Sequence, residues 1–284
     1  MRIGFLLRPS EIDHSTPINN QIFDILRSRN VEIEAVVPSH HQIDLSKVRV
    51  TCDLYVLKPG LDLALSLAGI LHDKGAQIIN SFPASSYIQD KARVTAALYD
   101  AGIPVPPSYF TDSCAKVCDI LENCSVIVKP HRGTAGEGIF IHHCNSQPPS
   151  DLGNALFVQK FLHSDGEDIK IYVIGEDVFA IKRPFPARSY AEKLGKPYPL
   201  NNEMRDIALR CGRIFGLEIY GIDVLQTSAG FFVIDVNYFP GMIGVPDVAE
   251  RLADYIYYRA LSLSSAQPAP ILPRPYATAN VAYA

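Results

Sequence analysis

An α/β architecture in three successive units is what this sequence predicts, on three observations. Short apolar runs alternate with helix-like stretches over the first eighty residues. A proline-rich break follows at 104–107, and two apolar strand pairs further on are each joined by a glycine turn. Residues 3–7 are the first strand-like run. Residues 18–29 place Ile22, Ile25 and Leu26 on one helical face. Residues 31–37 and 54–57 supply two more strands, the latter ending at Lys58-Pro59-Gly60. A helix over 64–74 and a strand over 77–79 complete the unit. Alternation at this spacing implies βαβ connections and a mostly parallel sheet. Such a sheet binds ligands beyond the carboxyl ends of its strands. Arg8, Lys58 and Asn80 stand at those ends and are candidate site residues by position.

The second unit begins after Asn80-Ser81-Phe82-Pro83. The spacing predicts one helix over 85–100, closed by Gly102, and Pro104-Val105-Pro106-Pro107 then forces an extended segment. A helix near 114–122 follows, with strands over 126–129, 139–142, 155–161, 170–174 and 178–183. Gly175-Glu176-Asp177 is the turn of the last pair. Residues 187–200 show no periodicity and carry Arg188, Lys193 and Lys196, so a mobile basic loop is expected there. A helix over 203–215, strands over 220–225 and 231–236 joined at Gly230, and a helix over 248–258 make the third unit. The last twenty residues are rich in Pro and Ala and read as a tail.

Composition narrows the function classes. Hydrophobic residues are 48% and charged residues 20% of the 284, a globular balance that excludes wholesale disorder. Lys plus Arg is 26 against 30 Asp plus Glu, so the basic excess of a nucleic-acid binder is missing. No apolar run reaches the roughly 18 residues of a bilayer span. The N-terminal MRIGFLLRPSEID reads as a strand rather than a signal peptide, which makes cytoplasm the expected compartment. Six cysteines without a secretory signal argue against a disulfide framework. Cys114, Cys118 and Cys124 with His142, His143 and Cys144 contain no CxxC or HxxxH spacing, and a buried helix face explains the i, i+4 pair better than zinc does.

Three constellations carry chemistry. In Val126-Ile-Val-Lys129-Pro-His131-Arg132-Gly133-Thr134-Ala-Gly136-Glu-Gly138, a strand ends in Lys and three glycines follow within six residues. Glycines let backbone N–H groups approach a polyphosphate, and Lys129 adds a fixed positive charge. It is not a Walker loop, because no Gly-Lys-Ser/Thr closes it and a strand follows instead of a helix. In Tyr220-Gly-Ile-Asp223 and Phe231-Phe-Val-Ile-Asp235-Val-Asn237, Asp235 and Asn237 share one strand face, with Asp223 about opposite. Like charges among apolar strands require a cation, and magnesium bridging phosphates suits oxygen donors of this kind. Phe157-Val-Gln159-Lys160-Phe161 can border a purine, while Lys170 and Lys182-Arg183 lie on strands able to face phosphates or an anionic substrate.

Together these segments resemble the ATP-grasp superfamily, over most of residues 1–264. The order matches: Asn80-Ser81 through Asp90-Lys91, AGIPVP at 101–106, KPxxGxxGxGI at 129–139, VQxF at 158–161, GxDIKxYVIG at 166–175, then GIDV and DVNYFPG. The resemblance implies an N-terminal α/β (pre-ATP-grasp) domain over 1–84 and an ATP-grasp domain over 85–264. Two α+β lobes, a small lid of about 108–185 and a larger lobe of about 186–264, would sandwich ATP, and 265–284 would be a disordered tail. It further implies that Lys91 and Lys129 hold ATP phosphates, that Gly133, Thr134, Gly136 and Gly138 close over them, and that Gln159, Lys160 and Phe161 line the adenine pocket with Asp168 near the nucleotide. Asp223, Asp235 and Asn237 would hold Mg2+, or Mn2+ in its place. Lys170, Arg183 and Arg188 are the candidate catalytic cations. Arg8, Lys58, His131, Arg132 and Gly241 are the candidate substrate contacts.

The glycine loop and the run from Asn80 to Pro106 look like the RimK-like ligases, which phosphorylate a carboxylate and let an amine attack the acyl phosphate. The expected partners are therefore ATP and a small-molecule or peptide acceptor, with no nucleic acid and no membrane; a homo-oligomer stays open. Those ligases carry an FRSNxHRGG-like stretch where this chain reads FPARSYAEKLGKPYPL, keeping Arg188-Ser189. KIYVIGEDVFAIKR, DVNYFPGMIGV and LYVLKPG look more like the ATP-grasp inositol-phosphate kinases, so a kinase acting on a hydroxyl is the alternative. A nucleotide-binding protein without turnover is the third reading.

Overall fold

Strands β1 (Arg2–Leu6), β2 (Glu32–Val36), β3 (Leu54–Leu57) and β4 (Ile78–Ile79) open the fold as a sheet of order β2-β1-β3-β4 with every pair parallel. Residues 1–11, 17–58, 62–112, 116, 117, 120, 125–132, 138–143, 155–164 and 166–265 are described by the computed structural model. Gly133, Thr134 and Gly136, the cysteines Cys114, Cys118, Cys124 and Cys144, most of the helix expected over 114–122, and the expected tail beyond 265 lie outside the described residues.

The sheet order follows from the sequence. β3 is buried at every position and β1 at all but its first, the pattern of strands covered on both faces. β2 has no fully buried residue and takes an edge. Helices α1 (Pro17–Ser28) and α2 (Asp62–Asp73) make the crossovers, burying Ile22 and Leu26 from one and Leu67, Ala68 and Leu71 from the other.

The single helix expected over 85–100 is two. Helix α3 (Phe82–Ile88) is capped by the Ser81 side chain accepting from Ala84 N at 3.3 Å. Helix α4 (Lys91–Asp100) is capped by Asp90 accepting from Arg93 N at 3.1 Å. Asp90 is thus a second helix start that apolar periodicity does not register.

Strands β5 (Ser108–Thr111), β6 (Val126–Pro130), β7 (Phe140–His142) and β8 (Leu156–Lys160) form an antiparallel sheet of order β5-β8-β6-β7. It has its own small core of Val117, Val126, Val128, Leu156 and Val158, separate from the main cluster.

Strands β9 (Glu167–Ile174), β10 (Asp177–Pro184), β11 (Lys196–Pro197), β12 (Ile219–Thr227) and β13 (Gly230–Tyr238) make the larger sheet, ordered β11-β10-β9-β12-β13. The hairpin of β9 and β10 therefore belongs with the larger sheet rather than with a small lobe ending near 185. Its register with β12, from Ile219 opposite Ile174 to Val224 opposite Ile169, fixes it there. Residues 187–200 are likewise not a structureless loop. Helix α5 (Tyr190–Leu194) starts at a capping box in which Ser189 and Glu192 satisfy each other's backbone N–H, and β11 then pairs with β10.

Helices α6 (Asn202–Phe215) and α7 (Val248–Ser265) cover the larger sheet, burying Met204, Ile207, Cys211, Leu252 and Ile256. α7 runs seven residues past the end expected at 258. Two joints tie the N-terminal sheet to this unit. α1 packs on α7, where Arg29 pairs with Asp254. Asn80, placed at a strand end as a site candidate, is instead a latch. Fully buried, its amide donates to Ile219 O at 2.6 Å and accepts from Glu218 N at 2.7 Å and Ile219 N at 2.9 Å. Asn80→Ala would strand those backbone groups, and a loss of about 3 kcal/mol in urea unfolding is expected. Among the described residues no helix is long and apolar enough to cross a membrane.

Candidate functional site

Sheet register assembles the charged row. Asp235 on β13 lies opposite Asp223 on β12, and Asp223 lies opposite Lys170 on β9. Side chains at i and i+2 share a face, so Asn237 joins Asp235, and Asp168 and Tyr172 join Lys170. The sequence-level pairing of the carboxylates thus holds, helped by a bulge between Asp223 and Val224. Asn237 Nδ2 sits 3.5 Å from Asp235 Oδ2, and Asp235 Oδ1 accepts from Val236 N at 3.1 Å.

The cations are distributed along this row. Lys170 Nζ forms an ion pair with Asp223 and a second, at 3.2 Å, with Asp168. Arg183 Nε donates to the other Asp168 oxygen at 3.2 Å. Asp168 is therefore the buried anchor of two cations, although resemblance set it beside the nucleotide. Burial pushes the Asp223 carboxyl up, Lys170 opposes that and Asp235 adds to it. Burial works against the Lys170 ammonium, but Asp223 and Asp168 outweigh it and keep its pKa above the ordinary lysine value.

The smaller sheet faces this row through Lys129. Its Nζ donates to Gln159 Oε1 at 3.2 Å and to Ile234 O at 3.1 Å, bridging β6, β8 and β13. Burial holds the Lys129 ammonium below the ordinary value, against the pull of Asp235, and Lys91 adds to the depression. Gln159 is committed on both sides, since its Nε2 donates to Ser108 Oγ at 3.1 Å. A small cavity lined by Ile88, Lys91, Phe157, Val233 and Asp235 lies between α4 and strands β8 and β13. Lys91 heads α4, and its backbone N–H donates to His131 O at 3.0 Å. Lys160 is exposed, with its N–H on Pro107 O at 2.8 Å; Phe161 packs edge-on to His163. The His131 ring lies tilted against Phe110, with centroids 5.7 Å apart, while Arg132 and Gly138 are exposed.

A second group of charges stands where β1 and β3 end. Lys58 is 5% exposed, and its Nζ lies 4.2 Å from the centre of the Phe239 ring, two residues beyond Asn237. Arg8 reaches Glu11, which is itself buried, at 3.4 Å. Burial lowers the Lys58 pKa to about 8, Glu11 resisting and Arg8 assisting. The sign of the linkage follows. Below about 8 the folded chain carries a desolvated charge, and that penalty is relieved as pH rises from about 8 to the unfolded value of 10.5. Stability should rise across that window. In Lys58→Met the rise should vanish, with a higher thermal midpoint at pH 7, checked by melts across the pH range.

A Cβ at Gly241, in the turn after β13, would meet Ile243 Cγ1 at an ordinary 3.8 Å. Three residues on, Gly244 has φ +92° and faces Leu194 O so closely that no Cβ fits, which packs this turn against α5. Arg188 is exposed just before α5, and no contact in the described residues joins it to Lys170 or Arg183. Tyr172 was missed. Its ring covers Gly221, where a Cβ would lie 3.1 Å from Tyr172 Cδ1, and its hydroxyl is pushed up by burial beside Arg183 and Lys170. The signal was its place two residues after Lys170 on an extended strand.

Magnesium can be tested against these donors. Among the described residues no group of three His, Cys, Asp or Glu side chains forms a metal cage. Two facing carboxylates and an amide oxygen are a hard-oxygen set of the kind completed by phosphate oxygens and water, so the residues fit.

The RimK-like ATP-grasp domain family matches residues 88–256. A probable alpha-L-glutamate ligase of Vibrio atlanticus (strain LGP32) is 29% identical over 203 residues, 64% of this chain and 67% of the relative. A second protein of that name, from Thioalkalivibrio sulfidiphilus (strain HL-EbGR7), is 24% identical and covers 92% and 96%. In fold, the chain is similar to the D-alanine–D-alanine ligase of Bacillus anthracis complexed with ATP, with a TM-score of 0.70 at 18% identity over 93% and 98% of the two chains. With a match over more than half its length, the chain belongs to the RimK-like ATP-grasp family.

Proposed function

We propose that the protein is an ATP-dependent carboxylate–amine ligase working through an acyl phosphate. The observation that carries this is the facing of Lys129, held over the cleft by Gln159 and Ile234, with the row Asp235, Asp223, Lys170. Lys129 and Lys91 hold the ATP phosphates, Phe161 and Lys160 border the base, and Gly133, Thr134, Gly136 and Gly138 cover the polyphosphate. Asp223, Asp235 and Asn237 hold magnesium, which supplies charge neutralisation for the transferring phosphoryl group.

A substrate carboxylate oxygen attacks the γ-phosphorus, the bond to ADP breaks, and an acyl phosphate forms. An amine then attacks the acyl carbon, loses a proton and expels inorganic phosphate, leaving an amide. Lys170 and Arg183, anchored by Asp168, face charge that develops on the transferring group; fixed cations in a dry site are worth far more than in water. Arg188 and the α5 segment, with His131, Arg132 and Gly241, would contact the acceptor. The relatives' names make L-glutamate the first amine to offer.

The purified chain with Mg2+, ATP, L-glutamate and a pool of small carboxylates and peptides, followed by phosphorus NMR, tests this. ADP and free phosphate in equal amounts with a new amide are expected. A stable phosphate ester in place of free phosphate would make the protein a kinase.

A further inference from the structure

Lys58 is the least explained charge in the molecule. It is 5% exposed, yet among the described residues its ammonium has no hydrogen bond and no ion pair, only the face of Phe239 at 4.2 Å. A buried ammonium without a partner is costly, and proteins keep one where a ligand supplies the counter-charge. A second donor points the same way. Arg8 Nε is buried and has no hydrogen-bond partner among the described residues, although Arg8 reaches Glu11 through its terminal nitrogen at 3.4 Å.

These two groups project from the carboxyl ends of β1 and β3, where a parallel sheet places ligands. They are contiguous with the reaction centre. Phe239 follows Asn237 by two residues, and the neighbouring Tyr238 hydroxyl accepts from Gln89 at 3.2 Å within the field of Arg8, Asp62 and Glu11.

We infer that Arg8 and Lys58 together bind a carboxylate of the substrate that enters beside β13, a carboxylate other than the one that is phosphorylated. Charge selects this class over a phosphate. Glu11 already offsets one of the two cations and Asp62 stands in the same field, so a dianion meets more repulsion here than a monoanion does. The planar guanidinium and the ammonium supply two directed donors, the complement of one carboxylate's two oxygens. The substrate is thus a dicarboxylic acid, or an amino acid or peptide whose free carboxylate is held while another group reacts. The position relative to the reacting group rests on the ligase reading; the anion site does not.

The test titrates the full chain calorimetrically with glutarate, its monoamide, its diamide and inorganic phosphate, at pH 7 without ATP. Glutarate and the monoamide should bind, the diamide should not, and phosphate should be weaker. Lys58→Met and Arg8→Gln should each weaken glutarate about ten- to a hundredfold, the worth of a charge-assisted hydrogen bond. Lys58→Arg should restore most of it. Lys58→Met removes an unpaired buried charge, so its folding is not at risk, and unchanged binding of a non-hydrolysable ATP analogue confirms an intact cleft.

Absence of glutarate binding, equal binding of the diamide, preference for phosphate, or unaltered affinity in Lys58→Met would each overturn the assignment. A chain that binds glutarate through Lys58 but yields a phosphate ester keeps this site and loses the ligase reading. The converse result separates the two the other way.

Discussion

Asp235→Asn is expected to lower turnover by about 10²–10³-fold while the chain melts no earlier than the unsubstituted protein. The physical reasons act in opposite directions. Asp235 lies opposite Asp223, and both sit in a site where like charges repel. Neutralising one relieves that repulsion in the absence of metal, and the amide oxygen still accepts from Val236 N, so stability is kept or gained. In the proposed site magnesium would then lose one of two carboxylates, and the loss would appear only in the metal-bound state. ADP release measured against magnesium concentration, beside a thermal melt, separates the two effects. Undiminished turnover at low magnesium would remove Asp235 from the metal site.

The largest stability effect is expected at Lys170. Its ammonium lies between Asp223 and Asp168, and the latter is 1% exposed. Lys170→Met deletes the cation paired with Asp223 and leaves that carboxylate buried beside Asp235. Breaking one partner of a buried pair costs about 3–5 kcal/mol. The thermal midpoint should fall by about 10 °C for a chain of this size. Asp168 keeps Arg183 at 3.2 Å, so the fold itself should survive. The double substitution Lys170→Met, Asp223→Asn should recover most of the loss, because the unpaired charge goes with its partner. Both forms should have little turnover, for each lacks a group that faces the transferring phosphoryl. Recovery of stability without recovery of activity is the signature; a double variant as unstable as the single would mean the pair is not the source of the loss.

Much of this arrangement was legible before any coordinates. Asp223, Asp235 and Asn237 could be placed on one face because strands have period two, and a glycine turn at Gly230 fixed the hairpin. Lys129 could be placed at a strand end before three glycines. What the sequence did not disclose depends on pairing between distant segments. Nothing local tells that β9 joins β12, the pairing that puts the hairpin of β9 and β10 in the larger sheet. Nor does it tell that Asn80 reaches Glu218 and Ile219. Asp168 has the same character: its spacing to Lys170 was visible, but its role as anchor needed the register that sets Arg183 across from it. Other misses were local and avoidable. Asp90 is an N-cap and Ser189 to Glu192 is a capping box, two start signals that apolar periodicity does not register. Lys58 was found at a strand end, though only the structure shows it buried over Phe239 without an ion-pair partner among the described residues.

Trapping of the acyl phosphate tests the central claim most directly. The chain, Mg2+, ATP and a pooled set of carboxylates are incubated with hydroxylamine in place of any amine substrate, and the mixture is read by mass spectrometry. A hydroxamate formed in step with ADP and free phosphate, and lost in Asp235→Asn, is the expected result. ADP production with a phosphate ester and no hydroxamate would contradict the account.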